Sequence, residues 1–157
     1  MSPRAAWRLE ALGFEQVHDY VGGKADWLAN GLPREGARTG VPYAGELVDS
    51  APPTCVLTDT VADVRARLND TRYGFCLVLN EDRIVFGRVR RSGIEDAEPT
   101  TTAGSVMEPG PSTVRFDTPA RELAQRLTEK NLKTAIVTTP SGRLVGVFHR
   151  TGARREL

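Results

Sequence analysis

One stretch of this chain is written twice, and the interval between the copies limits what the chain can fold into. Phe75 to Gly93 reads FCLVLNEDRIVFGRVRRSG, and Thr134 to Gly152 reads TAIVTTPSGRLVGVFHRTG. At an offset of 59, Val78 falls on Val137, Gly87 on Gly146, Arg91 on Arg150, Ser92 on Thr151 and Gly93 on Gly152. Leu68 falls on Leu127 one helix upstream. Two copies are too few for a solenoid, and neither buries its apolar face without the other. They predict a pseudo-symmetric pair with a cleft between its halves.

Local patterns give each copy the same order. In the first, Cys55 to Leu57 reads as a short strand. Thr60 and Asp63 form a capping box, with Val61, Val64 and Leu68 on one helical face. Phe75 to Leu79 and Arg83 to Val89 then read as a hairpin around a turn at Asn80 to Asp82. Gly93 to Ala97 closes the unit with a short helix. In the second copy Thr113 to Phe116 is a strand, and Ala120, Leu123, Ala124 and Leu127 mark the helix. Ala135 to Thr138 pairs with Leu144 to Phe148 across the Thr139 to Gly142 turn. The fold class is α/β of the α+β type: two β-α-β-β-α repeats in a pseudo-twofold pair. Expected boundaries are 54–98 and 106–157 for the repeats, 99–105 for the connection between them, and 37–53 for a Gly/Pro-rich linker with a helical turn near Ala44 to Val48.

Ahead of the linker, Ser2-Pro3 suits a helix start, Ala6, Leu9 and Leu12 mark a face, and Gly13 suits a stop. Phe14 to Val21 reads as a strand with Phe14, Val17 and Tyr20 or Val21 buried, and Ala25 to Asn30 as a second helix closed by Gly31 and Pro33. Trp7 and Trp27 are expected to bury this fragment. Gly23-Lys24 is no phosphate loop, because His18 stands where the first glycine belongs and Ala25 where Ser or Thr belongs.

Bulk properties exclude several classes. The 39% hydrophobic and 26% charged fractions suit a soluble globular protein. A net charge of +1 argues against a general nucleic-acid binder. Residues 101–157 nevertheless carry an excess of Lys and Arg, and residues 1–50 an excess of Asp and Glu. No run reaches the roughly 20 apolar residues of a membrane span, and MSPRAAWRLEALG lacks a signal-peptide core. A cytoplasmic protein is expected. Cys55 and Cys76 form no CxxC or Cys/His cluster, and His18 and His149 have no partner at metal-ligand spacing, so no metal is expected. Cys76, mid-strand, reads as an inert buried thiol. No Ser/His/Asp or paired-carboxylate set is present, and no enzyme activity is expected.

Two resemblances follow from quoted residues. Arg4 to Pro33, RAAWRLEALGFEQVHDYVGGKADWLANGLP, resembles the C-terminal end of a rhodanese domain through Gly22, Gly23, Trp27, Gly31, Leu32 and Pro33. That implies a rhodanese-like fragment over 1–36. The family's persulfide cysteine belongs to a loop ahead of this helix, and neither Cys55 nor Cys76 has that setting, which argues against a sulfurtransferase. The repeats, above all VMEPGPSTVRFDTPARELAQRL and AIVTTPSGRLVGVF, resemble a tandem pair of CBS domains over roughly residues 44–157.

The CBS resemblance implies a non-catalytic regulatory module that binds AMP, ATP or S-adenosylmethionine between the copies. It also implies a homodimer and a separate protein partner to receive the signal. Carried onto this sequence, the cleft is lined in the first copy by Cys55, Val56, Phe75, Arg90, Arg91 and Ser92. In the second it is lined by Thr113, Val114, Thr134, His149, Arg150 and Thr151. The family's usual Thr or Ser three residues after the last-strand glycine, and Asp six residues after it, are replaced by Arg90 and Gly93 and by His149 and Gly152. The ribose carboxylate is thus missing twice. What remains is basic, Arg88, Arg90, Arg91, His149 and Arg150, and suits either an anion site or a solvated strand end. A scaffold with an empty cleft is the competing reading.

Overall fold

The computed structural model describes residues 3–18, 20–30, 32, 42–69 and 71–153. Its body consists of two four-stranded sheets and their helices. In the first unit β2 (Thr54–Cys55) leads to helix α3 (Val61–Asn69), then to the hairpin β3 (Phe75–Leu79) and β4 (Val85–Arg90) and a 3-10 turn at Arg91–Ile94. In the second, β6 (Thr113–Arg115), helix α5 (Ala120–Glu129), β7 (Thr134–Thr138), β8 (Leu144–His149) and α6 (Arg150–Ala153) repeat that order.

The units exchange strands. β1 (Val48–Asp49), which precedes the first unit, pairs antiparallel with β8 of the second. β5 (Glu108–Pro109), which precedes the second, pairs antiparallel with β4 of the first. The sheet orders are therefore β1-β8-β7-β6 and β2-β3-β4-β5. The 59-residue offset runs through these crossovers. Ala44 N–H donates to the Thr118 carbonyl and Ala103 N–H to that of Asp59, each at 2.7 Å. Gly45 and Gly104 donate to Phe116 and Leu57 in the same manner. Residues 44–49, expected within the linker, thus hold a 3-10 turn and β1, the counterparts of α4 (Ala103–Val106) and β5.

The two hairpin turns meet on the pseudo-twofold axis. Val85 N–H donates to Gly142 at 3.1 Å and Leu144 N–H to Arg83 at 2.9 Å. Gly142 has φ +85°, and Arg83, at its place in the first unit, has φ +62°. An arginine in the left-handed region is uncommon, and here reciprocal backbone bonds hold it.

The capping box at Thr60 and Asp63 forms, with Thr60 N–H on Asp63 Oδ2 at 3.0 Å and Asp63 N–H on Thr60 Oγ1 at 3.2 Å. Val61, Val64 and Leu68 are fully buried, as their spacing predicts. One cluster joins them to Leu77, Leu79 and Val89 and, from the other unit, to Ile136, Leu144 and Val147. The two sheets therefore share a core. A second cluster covers the helix side of the second unit, with Phe116, Leu123, Leu127 and Phe148 at its centre.

The N-terminal stretch departs from expectation. Helix α1 spans Pro3–Ala11 and α2 spans Gly23–Ala29, but residues 14–18 and 20–22 form no strand. Phe14 and Val21 are exposed, Val21 at 95%, and Trp7 is 68% exposed instead of buried. An isolated strand leaves its backbone groups without ladder partners, and among the described residues this segment pairs with neither sheet. Leu28 of α2 does join the second unit's core, and Trp27 packs edge-on against Tyr20 with ring centroids 5.2 Å apart. The expected roles of Ser2, Gly31 and Pro33 fall outside the described residues.

Candidate functional site: two unequal sides of one cleft

The strand exchange creates two pseudo-equivalent places where a crossover strand meets the end of the other unit's last strand. On one side, Tyr73 O–H donates to Asp49 Oδ2 at 2.7 Å. Its single proton is then committed, so its oxygen accepts from His149 Nε2–H, 3.0 Å away. The Tyr73 ring also packs edge-on against His149, at 5.3 Å between centroids, and against Phe75, at 5.7 Å. Tyr73 is buried to 6% exposure. This side is filled by the protein's own aromatic rings.

At the 59-residue offset, the counterparts of Asp49, Tyr73, Phe75 and His149 are Glu108, Leu132, Thr134 and Arg90. Glu108 Oε1 accepts from Arg90 Nε and its Oε2 from Arg88 Nε, both at 2.7 Å. The carboxylate-to-strand-end link is thus kept in charged form. The two aromatic rings are gone, and Leu132 is 48% exposed. The second side is open, with two guanidinium groups held side by side on β4 by one carboxylate. Among the described residues each engages Glu108 through Nε and no other acceptor, so its Nη groups are left for a further one.

Titration behaviour follows the packing. Burial, and then the Asp49 carboxylate, push the Tyr73 hydroxyl up. The Tyr73 hydrogen bond holds the Asp49 carboxyl below its ordinary range, helped by Ala51 N–H. Burial first, and then the nearby Arg72 charge, lower His149, with Asp49 opposing. On the open side Arg88, followed by Arg90, holds Glu108 below the usual carboxylate range.

These shifts predict a pH dependence. His149 resists protonation when folded, so its contribution is complete above the unfolded value near 6.5 and is lost as pH falls from there through the folded value. Stability is expected to decline as pH falls below about 6.5, as urea midpoints on either side of that value will show. His149→Gln keeps a donor for Tyr73 and is expected to flatten the slope; a slope identical to wild type would remove His149 from the account.

The sequence-predicted site residues are distributed unevenly over this geometry. Phe75 and His149 each pack on Tyr73 on the filled side, Arg90 lies on the open side, and Thr134 is paired with His149 in the β7–β8 ladder. Arg91 is spent on structure, its guanidinium on the Leu68 carbonyl and its N–H on that of Gly74. Arg150 repeats the second contact, its N–H donating to Lys133. Ser92 and Thr151 are exposed on the short terminal helices. Thr113 and Val114 line a separate groove beside α5. Val56 N–H is bonded to Asp59. Cys55 is 5% exposed and Cys76 fully buried, both as free thiols. A hydrogen bond to Cys55, and then burial, push the Cys76 thiol far up. Both thiols are buried, so neither has the exposed setting that sulfur chemistry requires.

Sequence reading passed over Asp49, Tyr73, Glu108 and Leu132. The signal was available, because the offset that relates Gly87 to Gly146 also relates Asp49 to Glu108 and Ala44–Gly45 to Ala103–Gly104. Continued upstream of Cys55, it would have drawn the crossover strands into the repeats. Among the described residues no group of three or more His, Cys, Asp or Glu is placed to hold a metal, and no helix is long and apolar enough to cross a membrane.

Comparison with known proteins agrees with this architecture. The sequence matches none of the curated proteins it was compared with. The cytosolic domain of the Mg2+ channel MgtE, solved in complex with ATP, superposes with a TM-score of 0.63 at 23% identity. That match covers 74% of this chain and 49% of the other. The CBS domains of a transcriptional regulator from Streptococcus pneumoniae give 0.63 at 23% identity, over 72% and 97% of the two chains. CBSX2 in complex with AMP gives 0.62 at 19% identity, over 73% and 94%. The chain thus spans about half of the MgtE domain and nearly all of the other two. The family match described as the CBS domain begins at residue 103. With no strand at 14–18 or 20–22, the rhodanese-like reading of residues 1–36 is left without support. The two units have the fold of a CBS domain pair, and the second of them, residues 103–157, matches the CBS domain family itself.

Proposed function

We propose that this protein is a non-catalytic regulatory module that takes one adenosine-type phosphorylated ligand per chain, on the side of the cleft formed by Arg88, Arg90, Glu108, Leu132 and Thr134. The inequality of the two sides carries this reading. Where Tyr73 and Phe75 place two aromatic rings on one side, the other has a half-exposed leucine and a threonine. A flat base suits the place of the missing rings, and a phosphate suits the free edges of two adjacent guanidinium groups. Similar folds solved with ATP and with AMP support the ligand class. The absent ribose carboxylate, at Gly93 and Gly152, favours ligands whose binding rests on the anion and the base.

Occupancy is read by another protein through its different affinity for the empty and filled states. Association of two chains through their CBS pairs is part of the proposal. The second reading, a scaffold with an empty cleft, is favoured by the Glu108 carboxylate already lying on both arginines.

Titration calorimetry with AMP, ATP and S-adenosylmethionine separates the two readings. The expected result is one equivalent per chain of a phosphorylated ligand, lost in Arg90→Ala and retained in His149→Ala. Ligand at 100 times its dissociation constant should add about 2.7 kcal/mol of stability. Two equal sites, or binding unaffected by Arg90→Ala, would remove the one-sided assignment; no heat with any of them leaves the scaffold.

A further inference from the structure

The strand-to-helix turns of the two units differ at one informative position. In the first, Asp59 Oδ2 accepts Val56 N–H at 3.0 Å and pairs with Arg67 on α3. At the same places in the second unit stand Thr118, Arg115 and Arg126. The guanidinium is kept and its carboxylate is gone. Among the described residues Arg126 enters no ion pair and Thr118 no side-chain hydrogen bond. An open groove of about 450 Å³ lies there instead, lined by Thr113, Arg115, Thr118, Glu122 and Arg126 among others. β6, which forms one wall, is an edge strand of its sheet among the described residues. Phe116 N–H bonds to Thr138 of β7, and the alternation of a parallel ladder turns the Arg115 N–H outward.

We infer that this groove takes a carboxylate from outside: an aspartate or glutamate side chain on an extended acidic segment of a partner polypeptide laid along the β6 edge. The two donors that bind a carboxylate in the first unit, one guanidinium and one backbone N–H, are both retained in the second. An edge strand supplies backbone pairing for the rest of such a segment. Of the groove's own acids, Asp117 is engaged by Arg115 at 3.3 Å. Glu122, exposed one turn before Arg126, is the like charge the partner meets and limits affinity. In the first unit Asp63 holds that position and is turned aside to Thr60.

The test uses the full chain and fluorescein-labelled acetyl-Val-Asp-Val-Asp-Val-amide, with its Asn counterpart as control. The acidic peptide is expected to bind about tenfold tighter than the Asn peptide, the scale of one charge-assisted hydrogen bond. Arg126→Gln removes that advantage, and Glu122→Gln tightens binding. Thr118→Asp supplies the carboxylate from within the chain, so it should abolish binding while raising the unfolding midpoint, which keeps a misfolded variant from mimicking the result. Equal affinity for both peptides, binding to neither, or full binding in Thr118→Asp overturns the inference. Acetate that shifts the Arg115 amide resonance as far as the peptide does overturns the polypeptide occupant.

Discussion

Tyr73→Leu, which copies Leu132 into the filled side of the cleft, is expected to cost about 3 kcal/mol of stability, near the low end for truncating a buried aromatic. The ring lost is 6% exposed and packs against Phe75 and His149. Its hydroxyl bridges Asp49 on the crossover strand and His149 at the end of β8. Tyr73→Phe keeps the ring and removes that link, and is expected to cost about 1.5 kcal/mol, since the bond is to a charged but partly solvated carboxylate. In a domain of this length each kcal/mol moves the midpoint by roughly 3 °C. Urea unfolding of the two variants measures the difference directly. A Tyr73→Leu protein as stable as wild type would mean that the two sides are energetically alike. Tyr73→Leu has a second readout, because vacating the filled side should raise ligand stoichiometry above the single equivalent expected of wild type.

Gly45→Ala and Gly104→Ala should have unequal outcomes although the two glycines are pseudo-equivalent. A Cβ on Gly45 would lie 1.9 Å from Cδ2 and 2.3 Å from Cε2 of Phe116. That ring is 8% exposed in the second unit's core, beside Leu123 and Phe148. It must leave its place, at an expected cost of about 3 kcal/mol, the upper part of the range for overpacking. A Cβ on Gly104 would meet Leu57 at 3.2 Å from its carbonyl oxygen and 3.3 Å from Cδ2. There a shift of a few tenths of an ångström suffices, and the helical position favours alanine, so the net change should stay within about 1 kcal/mol. Equal losses in the two variants would show that Phe116 and Leu57 yield alike. The difference arises because Phe116 and Leu57 occupy one position of the repeat with side chains of different shape.

The helices and hairpins of the pair were legible because each carries a local signal. Thr60 with Asp63 starts α3, Val61, Val64 and Leu68 set its face, and Gly142 marks the β7–β8 turn. The strands of the crossovers carried no such signal. Val48–Asp49 and Glu108–Pro109 are two residues each, too short for alternation to show. Phe14 to Val21 failed in the opposite sense, since its apolar residues suit a strand but, among the described residues, pair with neither sheet.

Sequence by itself determined the repeat, its 59-residue register and the order of elements in each unit. These are properties of spacing and residue type, which a linear reading contains. Tertiary structure decided which residues meet. Asp49, Tyr73 and His149 lie far apart in the chain and converge because β1 crosses to the other unit's sheet. Arg88, Arg90 and Glu108 converge by the reciprocal crossing of β5. Whether a side of the cleft is filled or open depends on the volume of side chains brought from both units, a sum that no local pattern contains.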